Sequence, residues 1–103
     1  MINEKIREHI DSLAKDNGSD YIYFDNPSFD NSIVGITEDG CHIVYSYDMM
    51  VREFAKENNC DELEAIEFID YNTFRVLPYC NPDTAPIIVV GREEFDEYRE
   101  GLE

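Results

Sequence analysis

The sequence predicts an α+β fold: a small, mainly antiparallel three-stranded sheet, built from a hairpin over residues 32–46 and a strand over 85–90, covered by about four helices. Three observations predict it. An Asp39-Gly40 pair separates two alternating apolar runs, which is a strong short-range hairpin signal. Apolar residues at helical spacing lie on both sides of that hairpin. An unbroken apolar run, Ala85 to Val90, then reads as a buried strand. A chain of 103 residues sets the expectation of one domain with one core.

Each element has its own local reason. Residues 2–16 read as a helix, because Ile2, Ile6, Ile10 and Leu13 form one apolar stripe, and Asn17-Gly18 supplies a stop. His9 sits at the border of that stripe. Tyr21 to Phe24 is a short β-prone stretch, and Asp25-Asn26-Pro27-Ser28 a turn. A two-residue Asp39-Gly40 turn sets Ile36 opposite Ile43 and Val34 opposite Tyr45. Val34, Ile36, Cys41, Ile43 and Tyr45 then make the core face, with Ile33, Thr37, His42 and Val44 on the other.

Tyr47 to Asn58 is a second helix, capped by Ser46 or Asp48, with Met50, Val51 and Phe54 on its apolar side. A third begins near Asp61. Its stripe of Leu63, Ile66 and Ile69 continues to Phe74 and Leu77, and Pro78 ends it. Residues 80–84 are a loop. Pro86 stands at the start of the last strand, where a missing donor is tolerated. Arg92 to Glu100 is a short acidic helix. An antiparallel pairing of the two middle helices makes the last strand antiparallel to the second. That strand lies either beside the second or at the hairpin's other edge.

Charge narrows the function classes. The chain has 24 Asp+Glu against 8 Lys+Arg, a formal net charge of −16. From Asp16 to Val51 there is no Lys or Arg, while seven carboxylates accumulate. Direct binding to nucleic-acid phosphates needs a basic footprint, and an anionic membrane surface needs polybasic segments. Neither is expected here; a basic protein surface is the expected partner. The opening 17 residues are charged and amphipathic rather than a secretory h-region, and no apolar run approaches the ~20 residues of a membrane span. Cys41, Cys60 and Cys80 are odd in number and widely spaced, which points to a reducing cytoplasm.

Motifs for catalysis are sparse. The five glycines form no phosphate loop, and no GxSxG elbow occurs. Asp16-Asn17-Gly18-Ser19-Asp20 lacks the ligand alternation and closing Glu of a calcium loop. Cys41-His42, Cys60 and Cys80 could hold zinc only by long-range convergence, whereas structural zinc sites present close Cys or His pairs. No cofactor and no catalytic residue is assigned.

The most suggestive constellation is acidic. Glu53 and Glu57 are one helical turn apart, and Asp61, Glu64 and Glu67 follow at threes. No basic residue lies between Glu57 and Phe74. Asp70 and Tyr71 extend the series, Tyr71 as an aromatic anchor beside acids. A solvated face that keeps the protein soluble accounts for the same pattern. The expected function is a non-catalytic acidic module that engages a basic partner. The alternatives are a small enzyme or metal-binding protein using Cys41, His42 and nearby carboxylates, or a purely oligomeric structural protein.

Three stretches carry a resemblance: Phe24-Asp-Asn-Pro-Ser-Phe-Asp-Asn-Ser-Ile-Val-Gly-Ile36, Glu67-Phe-Ile-Asp-Tyr-Asn-Thr73 and Ala85-Pro-Ile87. Together they resemble small acidic uncharacterised proteins of gut anaerobic bacteria, often associated with phage-like or mobile elements. The likeness spans residues 24–90. It implies a bacterial cytoplasmic setting and a mobile-element role, and brings no activity, cofactor or catalytic residue.

Overall fold

The computed structural model describes residues 2–14, 21–25 and 27–90. The stop expected at Asn17-Gly18 and the helix expected over 92–100 lie outside the described residues. In chain order the elements are α1 (Glu4–Ala14), β1 (Ile33–Ile36), β2 (Ile43–Ser46), α2 (Tyr47–Asn58), α3 (Glu62–Phe68) and β3 (Ile87–Val89). A 3-10 turn, Asp30–Ser32, leads into β1. A π-helical turn (Ile69–Thr73) and a 3-10 helix (Phe74–Tyr79) continue α3. The class is α+β, as the periodicities predict.

α1 starts at Glu4 because Asn3 caps it: the Asn3 side-chain oxygen accepts from the Ile6 N–H at 3.2 Å. Ile6 and Ile10 pack against the core, but Ile2 and Leu13 are more than half exposed. The apolar stripe is therefore longer than the surface that covers it. Asp30 fastens the helix to the body. It is fully buried, its carboxylate accepts from the Asn3 N–H at 2.7 Å, and both its oxygens receive the Arg7 fork at 2.7 and 3.0 Å. Phe29, just before it, is bulky, buried and left-handed (φ 54°), a conformation held by its packing near Phe24 and Phe54.

The hairpin forms where expected, with two corrections. Ile36 pairs with Ile43, but Ile33, not Val34, pairs with Tyr45, and Gly35 pairs with Val44. Val34 is the extra residue of a bulge, which hands its expected core place to Ile33. The turn is also longer than two residues. Gly40 alone takes a positive φ (74°), and its N–H donates to the Thr37 carbonyl at 2.8 Å. Asp39 does not take a positive φ and uses its carboxylate to accept from the Thr37 hydroxyl (2.6 Å) and the Cys41 N–H (3.0 Å).

The sheet order is β1-β2-β3, so β3 lies beside β2. It runs parallel to β2, with Tyr45 opposite Ile88. The sheet is mixed, which corrects the mainly antiparallel expectation. The whole stretch from Tyr47 to Pro86 forms the connection, ample length for the crossover that parallel strands require. β3 is an edge strand with Ile87 exposed, not the buried strand its apolar run predicts.

Ser46 is the α2 cap, accepting from the Met49 N–H at 3.4 Å, and Asn59 ends the helix in the left-handed conformation (φ 51°). The third helix starts as expected, and Ile66, Ile69, Phe74 and Leu77 of its stripe pack in or against the core, but Leu63 is 64% exposed. Ala65, Ile69 and Thr73 are its buried residues. A strict four-residue spacing drifts around an α-helix of 3.6 residues per turn. Widening into a π turn at Ile69 keeps those three side chains facing the core. Pro78 does not end the segment; it sits inside the 3-10 helix, and the chain leaves at Cys80 (ψ 154°).

Candidate acidic face

The two middle helices position the predicted site residues, and they do not treat them alike. Glu53 points inward. The Ser32 hydroxyl donates to its Oε1 at 2.7 Å, and burial raises its carboxyl above the ordinary carboxylate range. It belongs to the contact between α2 and the 30–32 turn rather than to an exposed acidic face. Asp61 is the α3 cap: its Oδ1 accepts from the Glu64 N–H at 2.8 Å. Both are explained by folding.

The rest do gather. Glu64, Glu67, Asp70 and Tyr71 are exposed and line one shallow cleft of about 690 Å³ together with Ile66 and Phe68. Phe68 also walls a second cleft, where Glu57 stands with Asp25 and Asn58 at the end of α2. Phe68 stacks on Phe54 at 4.3 Å, so the two clefts share an aromatic wall rooted in the α2–α3 contact. Asp70 also accepts from the Tyr47 hydroxyl at 3.2 Å, which ties the start of the π turn to the start of α2.

The aromatic anchor expected at Tyr71 is 66% exposed, but sequence reasoning missed the other apolar groups. Leu63, Val76 and Tyr79 are exposed by 64, 48 and 90%, all on the helical segment from Glu62 to Tyr79. It also missed that Arg75 lies over Tyr71, its Cζ 4.8 Å from the ring centroid. The four-residue spacing of Tyr71 and Arg75 was the available signal.

The Cys41–His42 pair takes a structural place. His42 Nδ1 is 2.7 Å from the Ala85 carbonyl oxygen, which joins the hairpin to the approach of β3. Cys41 Sγ contacts the Asp39 carbonyl within the turn. Among the described residues no three His, Cys, Asp or Glu side chains converge on a metal-binding geometry. No helix among them is long and apolar enough to cross a membrane.

Compared with known proteins, the chain matches no family model, no curated protein and no solved structure.

Proposed function

We propose that this chain is a non-catalytic binding module whose α3 face engages a basic protein surface, in a bacterial cytoplasmic and mobile-element setting. One observation carries the reading. Exposed Leu63 and Tyr71 flank Glu64, Glu67 and Asp70 on a stretch that contains no Lys or Arg. Charge that served solubility alone would need no large apolar side chains among it. Aromatic anchors amid like charge are what an interface uses to combine steering with a desolvated contact. The −16 net charge extends the attraction beyond the face and makes association salt-sensitive.

Affinity capture from a bacterial host at two salt concentrations, with wild type and the Glu57→Lys, Glu64→Lys, Glu67→Lys triple variant, tests the face. The expected outcome is a basic partner that is lost at the higher salt and lost by the triple variant. Equal capture by both proteins would remove the proposed face. A second reading, self-association through exposed Val76 and Tyr79, predicts a dimer or larger species in light scattering that survives the triple substitution.

A further inference from the structure

We infer that the cation this face recognises is a guanidinium, and that Arg75 occupies its place on Tyr71 until a partner's arginine displaces it. The inference rests on the α3 face being a docking surface for a basic partner, and adds the side chain that surface selects. Tyr71 is two-thirds exposed, and the only described cation over its ring is the chain's own Arg75, at 4.8 Å. Arg75 is exposed as well. A cation over an aromatic face at such a site is worth only about a two- to fivefold preference. That is weak enough for another guanidinium to replace it.

Carboxylates complete the receptor. Glu67 and Asp70 line the same cleft as Tyr71. A guanidinium can lie flat on the ring while its fork reaches carboxylate oxygens; a compact ammonium cannot do both. The fold already uses this combination internally. Arg7 stacks over Tyr23 at 4.0 Å while its fork bonds Asp30 at 2.7 and 3.0 Å. On the surface, Tyr71 with Glu67 and Asp70 presents the same two kinds of group to solvent. The matching occupant is an exposed arginine on a basic, partly apolar segment of another protein. Leu63 and Ile66 on the same helix supply the apolar contact.

Two short acetylated peptides, identical except that every cation is arginine in one and lysine in the other, test this by calorimetric titration into the full chain at low salt. Wild type should favour the arginine peptide modestly. Arg75→Gln should widen that preference about two- to fivefold by freeing the ring. Tyr71→Leu should narrow the preference about two- to fivefold, leaving only what the carboxylates supply. Both positions are exposed, so unchanged far-UV circular dichroism is expected for either variant. If Arg75→Gln tightens both peptides equally, removal of a positive charge explains the gain and the inference falls. A preference undiminished by Tyr71→Leu also overturns it. Binding of both peptides without preference in any variant overturns the guanidinium assignment and leaves the acidic-face reading standing. Binding of neither overturns both.

Discussion

Asp30 is a buried carboxylate, and its partner Arg7 lies 23 residues earlier in the chain. Bringing such a pair out of water is costly. The bidentate geometry and the additional Asn3 N–H are what offset that cost. Removing one partner is then far worse than never having built the pair. Arg7→Met should destabilise the fold by about 3–5 kcal/mol, because Asp30 stays buried without its cation. The double change Arg7→Met, Asp30→Leu should recover much of that loss. Urea denaturation of the three proteins measures it. A loss below about 1 kcal/mol for Arg7→Met, the range of an exposed ion pair, would mean that the pair does not anchor α1. Nothing in local sequence announces this contact. Arg7 reads as one more polar residue opposite an apolar stripe, and Asp30 as one loop carboxylate among many.

Elements were legible where a short-range rule governs them. Asp39-Gly40 located the hairpin, Ser46 the start of α2, and Asp61 the start of α3. What escaped depends on tertiary packing. The bulge at Val34 moves Ile33 into the core, and no local residue requires it. β3 lies parallel to β2 because of how far the connection travels, a property of four helical pieces and a loop together. The acidic face was half legible: Glu64, Glu67, Asp70 and Tyr71 do share a surface, while Glu53 and Asp61 serve the fold. Helical spacing groups residues on a side but does not say which side faces the core. The bulged edge also yields a prediction. Gly35 pairs with Val44, its φ is not positive, and a Cβ there would meet nothing within 4 Å. Gly35→Ala should therefore stabilise the protein by about 0.4–1 kcal/mol, chiefly by restricting the unfolded chain. A lowered denaturation midpoint in the variant would mean that the bulge needs glycine.

Over the whole molecule, one quantity acts on both stability and recognition. A net charge of −16 on 103 residues repels itself in the compact state, and a core of this size leaves little margin. Salt shortens the reach of that repulsion, to about 10 Å at 0.1 M. Raising sodium chloride from low to moderate concentration should therefore raise the melting temperature. A relief of about 1 kcal/mol corresponds to roughly 4–8 °C for a domain of this size. The same screening should weaken attraction to a cationic partner, so stability and affinity move in opposite directions along one salt series. A bound basic peptide supplies the missing countercharge directly. Its stabilising shift should accordingly be largest at low salt and shrink as salt rises. Thermal melts of the free chain and of the arginine-peptide complex at matched salt concentrations read both trends at once. A melting temperature of the free chain that does not change with salt would show that the carboxylates are dispersed or compensated. The proposed long-range attraction would then have no source.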